Sequence, residues 1–124
     1  MEGHRLVGCT VLVVEDEPLV GLDVVDILKA EGAQAVLAKS ANEAISALDR
    51  VQVTSAVLDI NLGNHDCAAV CRCLRERDVP FLFHTGYTAP LGGWEGVPVV
   101  RKPTTPQEIV EAVERMCRSR PQQA

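Results

Sequence analysis

The stretch VLVVEDEP, residues 11–18, joins four apolar residues directly to three carboxylates and a proline. A short, β-branched and continuously apolar run is typical of a strand that is buried on both faces of a parallel sheet. The carboxylates of Glu15, Asp16 and Glu17 follow it without a break and would repel one another. Pro18 favours the first turn of a helix. The stretch therefore predicts a central strand, an acidic cluster at its end, and a helix that begins at Pro18.

Apolar runs and amphipathic segments alternate along the rest of the chain. Their composition and spacing predict five strands, at 10–14, 33–38, 54–60, 80–85 and 97–102. Helices are predicted between and after the strands, where Ser40 with Glu43 and Thr105 with Glu108 have the spacing of a capping box. Repeated strand–helix units predict an α/β fold, with a mostly parallel sheet covered by helices on both faces.

The first helix is expected over PLVGLDVVDILKAEG, with Gly32 as its C-terminal cap. Leu22, Val25 and Leu28 recur at helical spacing, so we expect this stripe to face the core.

The connection between the fourth and fifth strands is unusual. The segment GYTAPLGGWEG, residues 86–96, contains one proline and four glycines, which oppose helix formation. A parallel crossover normally needs a dozen or more residues, and this one is barely long enough. We therefore expect a short or irregular helix at this fourth crossover.

The 124 residues suit a single domain, with a core at about 9–118 and a frayed C-terminal tail. The net charge of −5 argues against nucleic acid or an anionic membrane as a direct partner. No apolar run approaches the roughly 20 residues that span a bilayer. The first ten residues lack the apolar stretch of a signal peptide, so we expect a cytoplasmic protein.

Five cysteines occur, at Cys9, Cys67, Cys71, Cys73 and Cys117. An odd number does not fit a closed disulfide framework, which favours reduced thiols. Metal binding by Cys71 and Cys73 is disfavoured, because helix residues two apart point about 200° away from each other. Cys67 and Cys71 share a helix face, but Val70 and Leu74 lie on it too, which favours packing in the core.

Polar side chains follow four of the five predicted strands, and in a parallel sheet these strand ends lie on one edge, where ligands bind. Beyond the acidic triplet of the first strand they are Asp59, Thr85 and Lys102. One lysine compensates only part of such a negative charge, and Mg²⁺ with oxygen ligands would supply the rest. An aspartate beside Mg²⁺ and a lysine is also a credible acceptor of a phosphoryl group.

Four segments at these strand ends, VLVVEDEP, AVLDINL, FLFHTGY and VVRKP, occur in an order and at separations that resemble a receiver domain of two-component response regulators. The resemblance extends over nearly the whole chain. It implies a doubly wound, five-stranded parallel sheet of CheY-like type, with strand order 2-1-3-4-5 and helices on both faces. It also implies a signalling switch and not an enzyme, with only self-catalysed phosphoryl acceptance and slow autodephosphorylation.

The resemblance implies a Mg²⁺ site. Asp16 would be the more direct ligand, and Glu15 would act largely through water. Asp59 would be a further ligand, and Asn61 would contribute its backbone carbonyl.

The resemblance also implies how a phosphoryl group is held. Asp59 would be the phosphoacceptor, and Lys102 would pair with the phosphoryl group or with Asp59. The Lys102–Pro103 peptide bond would be cis. Thr85 would donate its hydroxyl to a phosphoryl oxygen and so couple the chemistry to conformation.

Two departures from the common receiver pattern stand out. Many receivers have Tyr or Phe three residues before the lysine, where this chain has Val99. The segment FHTGY and the glycine-rich crossover resemble the stand-alone FAT GUY subgroup, although that subgroup has Ala at the position of His84. Tyr87 is then the aromatic residue expected to respond to phosphorylation.

Several residues have two interpretations. Glu17 is either a third metal ligand or a favourable charge at the start of a helix, which is preferred. His84 either tunes the site or is a packed histidine, and strand alternation favours the second. His65 either positions water near Asp59 or is an ordinary loop residue. Trp94 either anchors a partner or fills the space of a missing helix, and neither is preferred.

The predicted function is that of a single-domain response regulator, phosphorylated on Asp59 by a sensor histidine kinase or a histidine phosphotransfer protein. It would signal through a downstream protein or act as a phosphate sink, and a homodimer is left open. Two alternatives remain: a phosphorylation-independent interaction module and, less favoured, a small Mg²⁺-dependent phosphohydrolase. The sequence DINLG argues against a hydrolase, because no second acid stands two residues after Asp59.

Overall fold

The structure, a computed structural model, describes residues 4–59, 66–86 and 93–119, with the side chains of Asp66 and Ser119 left aside. The described strands are β1 Thr10–Val14, β2 Gln34–Ala38, β3 Ser55–Leu58, β4 Phe81–Thr85 and β5 Val99–Arg101. The described helices are α1 Pro18–Ala30, α2 Ala41–Arg50, α3 Asp66–Glu76 and α4 Pro106–Ser119.

The strands form one parallel sheet in the order β2-β1-β3-β4-β5, as expected for a doubly wound fold. Val14 lies level with Ala38 of β2 and Leu58 of β3, so neighbouring strands end together. The residues that follow each strand therefore meet at one edge, which we call the carboxyl edge. The opposite edge, where the strands begin, is the amino edge.

Alternation along the strands separates two hydrophobic layers. Leu12 and Val14 face the layer formed with α2 and α3, whereas Val11 and Val13 face the layer formed with α1 and α4. All four side chains are buried, which explains why the run in β1 is apolar without interruption. Burial on both faces makes β1 a central strand and fixes its register.

The stripe predicted for α1 is partly wrong. Val25 and Leu28 are buried, but Leu22 is 49% exposed, and Gly21 and Val24 are buried in its place. A Cβ at Gly21 would lie 2.6 Å from Leu37 Cδ1, so the missing side chain lets α1 lie close to the sheet. The helix is therefore turned with its glycine inward.

The capping box predicted at Thr105 and Glu108 is confirmed, whereas the one at Ser40 and Glu43 forms only in part, because Glu43 Oε1 accepts from Lys39 N at 2.9 Å, one residue before the N-cap. Glu43 N donates to Ser40 Oγ at 3.1 Å. At the start of α4, Glu108 N donates to Thr105 Oγ1 at 3.2 Å, and Thr105 N donates to Glu108 Oε1 at 2.9 Å. These bonds engage backbone donors at the helix starts, where the first turn has no carbonyl four residues earlier in the helix to accept from it.

The crossover before β5 is only partly described. Gly86 and residues 93–98 are not helical, and residues 87–92 lie outside the described residues, so the irregular helix stays a prediction there. The C-terminal tail lies outside them as well. None of the described helices combines the length and apolar character that crossing a bilayer requires.

All five cysteines are free thiols, and Cys9, Cys67 and Cys71 are buried. Cys67 and Cys71 lie in the α2/α3 layer with Val70 and Leu74, which confirms the prediction of core packing. In the described part of the chain, they belong to no group of side chains that could hold a metal ion.

Candidate functional site

The carboxyl edge brings the predicted site residues together. Glu15 and Asp16 follow β1, Asp59 follows β3, Thr85 ends β4, and Lys102 follows β5. All of them except Glu15 line an open cavity of about 470 Å³, which we call the acidic cavity. Its lining residues are Asp16, Glu17, Val20, Asp59, Thr85, Gly86 and Lys102. Four segments that are distant in sequence thus converge because parallel strands end at one edge.

Glu15 is the most deeply buried carboxylate of the site, with 2% of its surface exposed. Its Oε1 accepts from Lys102 Nζ at 2.9 Å, and its Oε2 accepts from the backbone N–H of Glu17 at 3.2 Å. Burial raises the pKa of Glu15; the hydrogen bond from Lys102 opposes the rise, and the carboxylate of Asp59 adds to it. Both carboxylate oxygens of Glu15 are therefore engaged by protein donors.

Lys102 links two carboxylates. Its Nζ lies 2.9 Å from Glu15 Oε1 and 3.3 Å from Asp59 Oδ2. Burial alone would lower the pKa of Lys102, but the hydrogen bond to Glu15 and the charge of Asp59 outweigh that effect and raise it. The backbone N–H of Lys102 donates to Thr85 O at 2.8 Å, and the Lys102–Pro103 bond is cis, as expected.

The carboxylates of Glu15, Asp16 and Asp59 can each place an oxygen within 4.8 Å of the others. Asp16 is exposed, whereas Glu15 and Asp59 are buried. Three negative charges against one ammonium leave the site in need of a cation. Oxygen donors of this kind fit a hard divalent ion such as Mg²⁺.

Glu17 precedes α1 and lines the acidic cavity, but it is not part of this group of described carboxylates. It occupies the N-cap position and makes no side-chain capping bond, and its own side chain is exposed. Its position favours the interpretation as a charge near the positive end of α1.

Residues 11–114 match the family model of the response regulator receiver domain. The chain belongs to the response regulator receiver domain family. The resemblance inferred from the four strand-end segments is thereby confirmed, since the matched range includes all of them. Receiver domains are signalling switches of two-component systems.

Solved structures of other response regulators share the fold. A receiver domain protein from Methanospirillum hungatei is 19% identical, with a TM-score of 0.81 over 90% of this chain and 95% of that one. TrrA of Thermotoga maritima, in complex with Mg²⁺-BeF, is 24% identical, with a TM-score of 0.76 over 87% of this chain and 98% of that one. PhyR of Brucella abortus is 22% identical, with a TM-score of 0.78 over 93% of this chain and 49% of that one.

Three residues of the predicted receiver site lie outside the described residues: Asn61, His65 and Tyr87. Their predicted roles stay predictions. Thr85 is fully buried and lines the acidic cavity, while Val99, at the position where many receivers have an aromatic residue, is 37% exposed.

Trp94 packs inward against the receiver core. Its ring makes an edge contact with Phe81 at 6.0 Å between centroids, and the Arg75 guanidinium lies 4.4 Å from its centroid. Phe81 in turn makes an edge contact with Phe83. The contacts support the interpretation that Trp94 fills space beside β4, with the guanidinium as a cation–π partner.

His84 has a partner that the sequence did not indicate. The imidazole is buried, and its Nε2 lies 3.0 Å from Thr104 Oγ1. Thr104 follows the lysine by two residues, and no motif in the sequence marks it as a contact of β4. Only the chain path after β5 brings the two side chains together.

Proposed function

We propose that this receiver domain accepts a phosphoryl group on Asp59 from a histidine kinase or a histidine phosphotransfer protein, in the presence of Mg²⁺. The observation that carries the proposal is the bridging ammonium of Lys102, 3.3 Å from Asp59 Oδ2 and 2.9 Å from Glu15 Oε1. The ammonium places a positive charge beside the carboxylate of Asp59, which lines the acidic cavity. That arrangement suits a carboxylate nucleophile, because the positive charge reduces the repulsion between the carboxylate and the incoming phosphoryl group.

The chemistry is a transfer between two nucleophiles. A carboxylate oxygen of Asp59 forms a bond to phosphorus while the phosphorus–nitrogen bond of the donor phosphohistidine breaks, and the imidazole leaves. Lys102 stabilises charge on the transferring oxygens. The hydroxyl of Thr85, at the end of β4, would donate to a phosphoryl oxygen once it is in place.

The carboxylates of Asp16 and Asp59 would hold Mg²⁺ most directly. Glu15 would act through water, because its two oxygens already accept from Lys102 and from the Glu17 backbone. Asn61 would contribute its backbone carbonyl. When bound, the ion supplies positive charge against the carboxylates and the phosphoryl oxygens. The TrrA structure in complex with Mg²⁺-BeF supports such a site in a protein of this fold.

The signal would pass through a protein surface. Phosphorylation would shift the equilibrium of the β4 end and of the crossover that follows, so that a downstream protein binds one state better. We propose that residues 1–124 act as a single receiver domain in the cytoplasm, either as such a switch or as a phosphate sink. Membership of the FAT GUY subgroup and a homodimer stay predictions.

Incubation with acetyl phosphate or phosphoramidate plus Mg²⁺, followed by intact-mass measurement, tests the proposal. We expect an adduct of one phosphoryl group on the wild type and none on Asp59→Asn or in EDTA. Asp26→Asn, an exposed carboxylate on α1, is the matched control and should retain the adduct.

A wild type that takes up no phosphoryl group from these donors or from histidine kinases would favour a phosphorylation-independent interaction module. Rapid turnover of unrelated phosphoesters that depends on Asp59 would favour a hydrolase.

A further inference from the structure

His84 lies on the face of β4 opposite to Thr85. Leu82, two residues earlier, packs in the α1/α4 layer, and His84 has the same orientation by strand alternation. It lines a second cavity, of about 190 Å³, on that side of the sheet. We call this the α1 cavity; its lining residues are Val20, Asp23, Val24, Ile27, His84, Lys102, Pro103, Thr104, Thr105 and Ile109.

The direction of the hydrogen bonds around Thr104 can be assigned. The hydroxyl of Thr104 has one proton, and it donates to Arg101 O at 2.7 Å, a carbonyl that can only accept. Its oxygen must then accept from His84 Nε2 at 3.0 Å. Burial lowers the pKa of His84, and Lys102 lowers it further, against the opposing charge of Asp59. The side chain is therefore a neutral imidazole with its proton on Nε2 near pH 7.

This chain of hydrogen bonds closes a turn of four residues. It runs from His84 through Thr104 to Arg101, and Lys102 with the cis bond to Pro103 lies inside the turn. The backbone N–H of Lys102 is tied to β4 as well, through Thr85 O at 2.8 Å. The 101–104 turn is thus held by the side chain of His84 and by the backbone carbonyl of Thr85.

Besides Val20, Lys102 is the residue that both cavities share. Its ammonium contacts Glu15 and Asp59 in the acidic cavity, while it also lines the α1 cavity beside His84. Holding a flexible lysine side chain in one conformation has an entropic cost. The ammonium therefore reaches both carboxylates well only if the backbone of Lys102 is correctly positioned.

We propose that His84 is a positioning residue: through Thr104 it fixes the 101–104 turn and so directs Lys102 onto Asp59 and Glu15. The effect on phosphorylation rests on the proposed function of Asp59. The effect on the turn does not, because it concerns the unphosphorylated protein.

The first test is the rate of phosphorylation by phosphoramidate with Mg²⁺. His84→Ala and Thr104→Val should each slow it about fivefold, the equivalent of one lost hydrogen bond. His84→Gln, whose amide can donate from a similar position, and Thr104→Ser, which keeps the hydroxyl, should restore most of the rate. Because the two residues act as a unit, the double variant His84→Ala/Thr104→Val should be no slower than either single one.

Leu82→Val is the matched control, since it perturbs a fully buried position on the same strand and the same face. It should lower stability without slowing phosphorylation at a temperature where all variants are folded. An equal loss of rate in Leu82→Val, or no rescue by His84→Gln, would overturn the proposal in favour of simple packing.

The second test is hydrogen exchange at the Lys102 backbone amide, measured without phosphate or metal. Exchange should be faster in His84→Ala and Thr104→Val than in the wild type, His84→Gln and Leu82→Val. Unchanged exchange in His84→Ala would overturn the role in the turn. A wild type that cannot be phosphorylated would overturn the proposed function alone, because the exchange result still decides whether His84 holds the turn.

Discussion

The pKa of a carboxylate is shifted in opposite directions at the two edges of the sheet. At the carboxyl edge, burial raises the pKa of Glu15, and neighbouring Asp59 raises it further despite the bond from Lys102. At the amino edge, the hydrogen bond from Arg5 lowers the pKa of Glu114, and the nearby charge of Arg118 acts in the same direction. The carboxyl edge concentrates like charges, whereas the amino edge pairs Glu114 with two arginines.

These opposite pKa shifts predict that Glu15 and Glu114 contribute to the stability of the fold in opposite pH ranges. A raised pKa means that the folded state favours the protonated carboxyl, so the contribution of Glu15 is present below its ordinary value of 4.5 and is lost as pH rises through the raised value. A lowered pKa means the reverse, so the contribution of Glu114 is present above 4.5 and is lost as pH falls. In the metal-free protein, ionisation of Glu15 therefore opposes folding, whereas ionisation of Glu114 favours it.

The largest effect is expected from truncation at the amino edge. Leu6 is fully buried there, and its backbone N–H donates to Glu31 O at 2.8 Å. Leu6→Ala should lower the free energy of unfolding by about 2–5 kcal/mol, because it leaves a cavity. Val7→Ala is the control, since Val7 is 64% exposed, and should have almost no effect.

Urea unfolding measures the difference between the two variants. Phosphorylation of Leu6→Ala, tested while it is folded, should match the wild type. A phosphorylation defect as large as the stability defect would contradict the separation of the two edges.

The next effect comes from removing the cation at the carboxyl edge. Lys102→Met leaves Glu15 and Asp59 without their shared ammonium, and should cost about 1–3 kcal/mol at pH 7 in EDTA. The loss should shrink at pH 4, because Glu15, whose pKa is raised, then takes up a proton. Lys29→Met, an exposed position on α1, serves as the control.

The raised pKa of Lys102 adds a second signature of the same change. Its pairing contributes stability below the ordinary value of 10.5, and this contribution is lost as pH rises above that value. Stability above pH 10 should therefore fall more steeply in the wild type than in Lys102→Met. Parallel curves would show that the ion pairs contribute nothing.

Removing a negative charge at the same edge should do the opposite. Asp59→Asn should raise stability at pH 7 in EDTA by on the order of 1 kcal/mol, because Glu15 then ionises beside one carboxylate fewer. The gain should decline as pH falls towards 4. Mg²⁺ should stabilise the wild type and have less effect on Asp59→Asn, since a ligand stabilises the state that binds it.

Thermal unfolding with and without Mg²⁺ measures both parts of this prediction. Lower stability of Asp59→Asn in EDTA would mean that the carboxylates do not repel one another in the folded protein.

The sequence predicted the features that depend on the ends of strands. Apolar runs located β1 and β4, and parallel strands then brought Asp59, Thr85 and Lys102 to one edge. In α1 it placed Val25 and Leu28 correctly on the buried side but not Leu22, because Leu22 is as apolar as the residues that are buried. The decisive residue was Gly21, whose effect depends on the distance to Leu37 and not on hydropathy.

The contact of His84 could not be predicted for a related reason. Strand alternation gave its face correctly, but its partner depends on the path of the chain around the cis bond after Lys102. The sequence also did not predict that Lys102 lies closer to Glu15 than to Asp59. Lys102 and Glu15 are 87 residues apart in sequence, so no local pattern connects them. Local patterns fix which elements form, whereas distances between loops depend on how all the elements pack.

The smallest effect should come from the amino edge, and its sign distinguishes the two edges most directly. Glu114→Gln removes a carboxylate that Arg5 and Arg118 hold at 2.6 and 3.0 Å. Because the pKa of Glu114 is lowered, the variant should lose a little stability at neutral pH and none near pH 3. Asp59→Asn should instead gain stability at neutral pH. Asp26→Asn, at an exposed position on α1 with no ion pair among the described contacts, is the control for the loss of one negative charge. If Glu114→Gln and Asp59→Asn shift the unfolding midpoint in the same direction at pH 7, net charge alone governs stability, and the two edges do not differ.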